Sequence, residues 1–437
     1  MKLVVEKTEK LEGEITIPGS KSHTIRAVII ASLAEGTSKI KNPLKSGDTM
    51  AAVNACKALG AKINIENERE WIIEGFNHTP KNPEAVLDMA NSGTSLRLMS
   101  GIIAALCDFE VELEGDESLS TRHMQPLLKS FNELGAETLS TNNDGKCPIK
   151  IKGKMQGGST EISGFTSQYI SSLLISCPML PEDTKIIVLN PNEIPYIKMT
   201  LKWLEEQGIK YEVSDDFTKF KISGNQKYKA FEKIIPADWS SAAFPLVGAA
   251  ITTSNVLLKG LDMDCTQGDK AIIDYLKKMG ADISVEEKGI RIKGKELQGC
   301  ELDINHTPDA LPALSVLGSF ANGLTKLTNV VQAQNKETDR IKVMCEELVK
   351  MGAEIKIDLG GLIIHGSPLD SPIGGAKVKL HGAKVRGRND HRIVMALSLA
   401  GLIAEGKTEI TTAESVEVTY PTYVKSMKAL GAKMEVI

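Results

Sequence analysis

The sequence predicts an α/β protein of two similar domains, each holding three repeated helix-and-strand units around three buried helices. Three observations carry that prediction. The first is a short phrase, of the form Leu-Gly-Ala or a close variant, that recurs six times with its glycine at Gly60, Gly135, Gly208, Gly280, Gly352 and Gly431, 72 to 79 residues apart. Each copy closes an amphipathic stretch and opens an alternating one, as glycine does past a helix end because it tolerates the left-handed conformation. The second is an interleaved series of polar openings, each followed by an apolar run. The openings are Ser20-Lys21-Ser22, Asn91-Ser92-Gly93-Thr94, Thr166-Ser167-Gln168, Asp238-Trp239-Ser240-Ser241, Thr307-Pro308-Asp309 and Asn389-Asp390-His391-Arg392. The third is a match between halves: Ile17-Pro18-Gly19-Ser20 resembles Ile235-Pro236-Ala237-Asp238, half a chain later.

The elements follow in order. Spacing such as Ala271, Ile272, Tyr275, Leu276 and Met279 marks a surface helix with one buried stripe ahead of each repeated glycine. The runs after the polar openings, such as 96–106, 242–251 and 393–404, are apolar all round, the pattern of a fully buried helix, and their openings are rich in N-cap residues. The two proline junctions become crossovers. One domain then spans 20–235, and the other joins 1–19 to 236–437, a double connection that restricts them to hinge closure. Three parallel helices per domain put their N-termini at one end. If both domains present that end to the other, six helix starts surround one cleft. Unpaired N–H groups and the helix dipole make such a cleft favour anions, phosphate or carboxylate.

Composition narrows the function. The 437 residues include 52 basic and 56 acidic side chains, a net charge of −4, with 42% hydrophobic and 25% charged residues. That is ordinary for a globular protein. Net acidity and 4% aromatics argue against nucleic acid as partner. No apolar run approaches the ~18–20 residues of a membrane span, and the N-terminus has neither a signal-peptide core nor transit-peptide bias, so a cytoplasmic location is expected. Seven cysteines, the closest pair 30 apart, show no zinc spacing and fit reduced, buried thiols. No P-loop or dinucleotide fingerprint is present, and the expectation is no cofactor and no metal.

Several openings carry more than a cap requires. Lys21 puts a cation in the first turn of a helix, against the macrodipole. Gly93 lets a ligand approach the backbone closely. Thr166, Ser167 and Gln168 offer two hydroxyls and an amide, although capping alone explains them equally well. Arg122 by itself reads as a surface charge. Asp309 reads either as a cap or as a base for a substrate hydroxyl. Lys336, Glu337, Asp339 and Arg340 fit either a salt-bridged surface helix or a pair of anion contacts with a proton donor. Asn389-Asp390-His391-Arg392 leads straight into an apolar helix, where unpaired charge cannot be buried.

Taken together these motifs resemble those of 5-enolpyruvylshikimate-3-phosphate synthases: GSKSHTIRA at 19–27, NSGTSLR at 91–97, TSQYISSLL at 166–174, PDA at 308–310, KETDR at 336–340 and NDHR at 389–392, in order along the whole chain. The resemblance implies an inside-out α/β barrel of βαβαββ-type units, a cleft that closes on substrate, and a monomer. It implies enolpyruvyl transfer from phosphoenolpyruvate to the 5-hydroxyl of shikimate 3-phosphate, by addition and then elimination through a tetrahedral intermediate. Residue by residue it implies that Lys21, Ser22, Arg26, Thr166, Ser167, Gln168, Asp309 and Lys336 hold shikimate 3-phosphate. Lys21, Gly93, Arg122, Gln168, Arg340 and Arg392 would hold phosphoenolpyruvate. Asp309 would be the base, Glu337 the acid and His391 an aid to proton transfer, with Lys21 also in the catalytic set.

The chain departs from the family pattern at Gln332, where relatives often carry Asn, at Val418, in place of a Lys, and at Glu193, in place of a substrate-binding Ser. None of the three is counted in the expected site. Leu98 replaces a common Pro, which leaves glyphosate sensitivity open. The competing readings are a transferase that uses a UDP-amino sugar, which usually carries a loop Cys where this chain has Ser118 to Arg122, a non-catalytic anion-binding repeat protein, and an RNA-end-processing enzyme.

Overall fold

A computed structural model describes residues 1–366 and 380–437. The chain divides into two compact units, Met1–Pro18 with Ala237–Ile437, and Gly19–Pro236. Each has its own hydrophobic core. Among the described residues no helix is long and apolar enough to cross a membrane.

Among the described residues each unit holds three four-stranded sheets of one design. The first two strands are parallel, and the third and fourth follow antiparallel. Leu87–Asp88 and Val111–Glu114, for example, run parallel, and Ile149–Lys152 and Glu137–Ser140 complete that sheet. In four of the six sheets a buried helix joins the parallel pair, as chain geometry requires of a parallel connection. Where the chain crosses between units the pairs are completed from a distance. Glu232–Ile234 supplies the parallel partner of Thr37–Lys41, and Glu12–Thr16 that of Asn255–Lys259. Lys2–Glu6 pairs with both Lys407–Thr411 and Met434–Val436, so the last sheet needs the first strand of the chain. The crossing segments are hydrogen-bonded reciprocally: Ser20 N–H donates to Pro236 O at 2.8 Å, and Asp238 N–H to Pro18 O at 2.9 Å.

The six repeated glycines all take positive φ, from 72° to 109°, directly after a helix and before a strand. Among the described residues the buried helices are Lys21–Leu33, Gly93–Leu106, Ser167–Ser176, Trp239–Ala250, Leu311–Phe320 and His391–Ile403. Every residue of Trp239–Ala250 and His391–Ile403 is buried. The outer helix Gln125–Glu133 buries only Leu127, Leu128, Ser130 and Phe131. Burial on all sides forces close helix packing. At Gly101 a Cβ would lie 2.4 Å from Ser172 Oγ, so only glycine lets Gly93–Leu106 approach Ser167–Ser176 this closely. Cys56, Cys107, Cys147 and Cys177 are buried, whereas Cys265, Cys300 and Cys345 are half-buried, a correction to the expectation that all seven lie inside.

Candidate functional site

In the Gly19–Pro236 unit the polar helix starts form a connected group. Lys21 opens its helix, and its Nζ pairs with Asp48 at 2.9 Å. Asp48 is buried and begins the outer helix Gly47–Ala58, and its backbone O accepts from Ser95 Oγ at 2.9 Å. Ser92 caps the Gly93–Leu106 helix through Ser95 N at 3.2 Å. Gly93 therefore begins that helix with no side chain between two cations. A Cβ there would lie 2.7 Å from Arg122 Nη1 and 2.8 Å from Arg97 Nη1. Burial lowers the Arg97 pKa, and the Arg122 charge lowers it further. Two guanidiniums side by side favour an anion between them.

Gln168 meets the same group: its Oε1 accepts from Arg97 Nη1 at 2.5 Å and its Nε2 donates to Thr94 Oγ1 at 3.3 Å. Thr166 caps the Ser167–Ser176 helix, accepting from Gln168 N at 3.3 Å. Ser22 is half-buried. Arg26 lies deeper, 2% exposed, donating to Thr200 Oγ1, Ser22 O and Ser171 Oγ. All three acceptors are neutral, and burial pulls its pKa down to about 10.

In the other unit one guanidinium organises three carboxylates. Arg340, the first residue of Arg340–Lys350, donates to Asp390 Oδ2 at 2.8 Å and Oδ1 at 3.1 Å, to Asp309 Oδ1 at 2.7 Å, and to Glu337 Oε2. These partners raise its pKa against the lowering effect of burial. Asp390 also caps the His391–Ile403 helix, accepting from Arg392 N at 2.9 Å. His391 Nδ1 lies 4.0 Å from it.

Asp309 sits in the 3-10 turn Pro308–Ala310, and its carboxylate caps nothing. It pairs instead with Arg340 and with Arg392 at 3.0 Å, and Lys336 lies 4.0 Å away. Burial pushes its carboxyl up, but Arg392, Lys336 and Arg340 outweigh that and hold it well below the usual carboxylate range. Asp309 is thus an ionised acceptor at neutral pH, ringed by cations. By contrast Asp238 is spent on its own helix start, accepting from Ser241 N at 3.1 Å and from Ser241 Oγ at 2.6 Å.

A family model described as EPSP synthase (3-phosphoshikimate 1-carboxyvinyltransferase) matches residues 5–427. The chain belongs to this family. A 3-phosphoshikimate 1-carboxyvinyltransferase of Acetivibrio thermocellus is 50% identical to it over 433 residues, 99% of each chain. One of Ruminiclostridium cellulolyticum is 47% identical over the full length of both. Among solved structures, an EPSP synthase of Acinetobacter baumannii superposes with a TM-score of 0.83 at 30% identity, covering 99% of each chain.

Of the residues expected from the EPSP synthase resemblance, Lys21, Gly93, Arg122, Gln168 and their neighbours fall together in one unit. Asp309, Lys336, Glu337, Arg340 and Arg392 fall together in the other. Sequence reading missed Asp48, the partner of Lys21, and Arg97, which lines the Gly93 gap. It also named Asp390 only as a cap. A signal for Arg97 was present, since a lone Arg inside an apolar run must find a polar destination. The three departures sit in built surroundings. Gln332 is buried and donates to Asn305 O at 2.8 Å, Val418 is half-buried in the turn Ala413–Val418, and Glu193 accepts from Thr166 and Ser167.

Proposed function

We propose that the polar ends of the two units serve one active site, the shikimate 3-phosphate end in Gly19–Pro236 and the proton-transfer end around Asp309. The chain transfers the enolpyruvyl group of phosphoenolpyruvate to the 5-hydroxyl of shikimate 3-phosphate and releases phosphate. The UDP-sugar, binding-module and RNA-end readings give way to the family assignment.

In this reading Thr166, Ser167, Gln168, Ser22 and Arg26 hold shikimate 3-phosphate, and Lys21 touches both substrates. Arg122 and Gly93 receive phosphoenolpyruvate, with Arg97 beside them. Arg392 and Arg340 meet its charge from the other unit, and Lys336 contacts the cyclohexene ring. Glu337 protonates the methylene carbon, with His391 assisting. The 5-hydroxyl attacks the cationic carbon and gives its proton to Asp309. The tetrahedral intermediate then loses phosphate, which takes up that proton, while the methyl group returns its proton and the double bond reforms.

The observation that carries this reading is the state of Asp309, a carboxylate at a helix start that caps nothing and is held ionised by three cations. Anionic substrate competing for Arg392 and Lys336 loosens that hold, so the carboxylate becomes a stronger base when the site is filled. The protein acts in the cytoplasm as a monomer. A phosphate-release assay tests the function. Phosphate is expected from phosphoenolpyruvate with shikimate 3-phosphate and not with a UDP-amino sugar; release only with the UDP-sugar would overturn it.

A further inference from the structure

Three donors converge on a single oxygen of Glu193: Thr166 Oγ1 at 3.2 Å, Ser167 N at 3.0 Å and Ser167 Oγ at 2.8 Å. They stand at the N-terminus of the ten-residue helix Ser167–Ser176, where unpaired N–H groups favour an anion. Glu193 is 2% exposed. Its backbone is left-handed, φ 53°, a conformation that a glutamate adopts only when its surroundings hold it there.

We propose that Glu193 is a built-in occupant of the phosphate-binding end of the site, which the phosphate of shikimate 3-phosphate must displace. The inference rests on the reading above, in which Thr166 and Ser167 receive that phosphate. A carboxylate oxygen and a phosphate oxygen cannot share the same three donors, because two anions at hydrogen-bond spacing repel and the donors have no protons to spare. Binding therefore requires the Glu193 side chain to swing out. The apparent affinity is the intrinsic affinity multiplied by the fraction of molecules in which it has done so. Glu193 thus sets the affinity for the phosphorylated substrate and keeps the helix start satisfied while the site is empty.

The test is calorimetric titration with shikimate 3-phosphate of the wild-type chain, of Glu193→Ser and of the near-isosteric Glu193→Gln. Phosphoenolpyruvate and unphosphorylated shikimate serve as comparison ligands. Glu193→Ser is expected to bind shikimate 3-phosphate at least about tenfold more tightly, with a smaller gain for Glu193→Gln and no parallel gain for the comparison ligands. If Glu193 instead pre-positions the two hydroxyls for substrate, both variants bind more weakly. Weaker or unchanged binding overturns the inference, and Glu193→Gln decides the matter if Glu193→Ser does not fold. Failure of the wild-type chain to turn over shikimate 3-phosphate would remove the functional reading itself, a separate outcome.

Discussion

Arg340 holds Asp390 with two parallel hydrogen bonds, Nε to Oδ2 at 2.8 Å and Nη2 to Oδ1 at 3.1 Å, and both side chains are almost wholly buried. Asp390 in turn caps the helix that carries His391 and Arg392. The planar fork of Arg340 thus fixes the start of one helix from the start of another, and it extends its remaining donors to Asp309 and Glu337. Removing it strands a buried carboxylate. Arg340→Ala is expected to cost about 3–5 kcal/mol of stability, the usual penalty for breaking a buried pair. Denaturant melts check this. Arg340→Lys should recover only part of the loss, because an ammonium cannot grip two oxygens in a plane.

In the proposed mechanism Asp309 and Glu337 handle the protons. Asp309→Asn and Glu337→Gln should each lower the phosphate-release rate by about 10²–10⁴-fold. Asp309→Asn should not weaken phosphoenolpyruvate binding, because it frees Arg392 and Lys336 from a competing charge. A drop in rate explained entirely by a raised KM would argue against a role in the chemical step.

Gly93 is the third test. A methyl group there must push aside Arg122 Nη1 and Arg97 Nη1, which lie 2.7 and 2.8 Å from the Cβ position. Moving a guanidinium off an anion forfeits a charge-assisted hydrogen bond of about 1.5–3 kcal/mol. Gly93→Ala should therefore raise the KM for phosphoenolpyruvate about 10- to 100-fold, with a smaller effect on shikimate 3-phosphate. Steady-state kinetics with each substrate varied in turn read the difference.

His23 gives a pH dependence. Burial, with Arg26 and Lys233 nearby, lowers its pKa from 6.5 to about 3, and its Nδ1 accepts from Trp203 Nε1 at 3.1 Å. The unfolded chain takes up a proton below pH 6.5 that the folded chain refuses until about pH 3. Stability contributed by the neutral ring is present above pH 6.5 and falls as the pH drops towards 3. Between pH 6.5 and 5 the loss should be about 2 kcal/mol. Urea melts at several pH values should show this slope, and His23→Gln should flatten it.

The architecture was legible because it is repeated. Six glycines past six helix ends, and six polar openings before apolar runs, survive any error in a single element, and each glycine adopts the left-handed conformation its position required. Lys21 stood out because a first-turn cation opposes the helix dipole, and Arg392 because an apolar helix cannot absorb its charge. Asp48 gave no such sign. An aspartate in the first turn of an amphipathic helix is what any helix prefers, and its pairing with Lys21 depends on how two helices are placed. The bidentate grip of Arg340 on Asp390, 50 positions along the chain, was hidden for the same reason. Glu193 was visible only as a departure from a family pattern. What its carboxylate touches is a matter of packing that no local pattern encodes.

The claim on which the rest depends is that both units contribute to one site. A crystal structure of the chain with shikimate 3-phosphate and phosphoenolpyruvate, or a phosphoenolpyruvate analogue, tests it most directly. The expected result is one pair of ligands touched by Lys21, Ser167 and Arg122 from one unit and by Asp309 and Arg392 from the other. Ligands contacted by a single unit, with Asp309 and Arg392 remote from both, would contradict it.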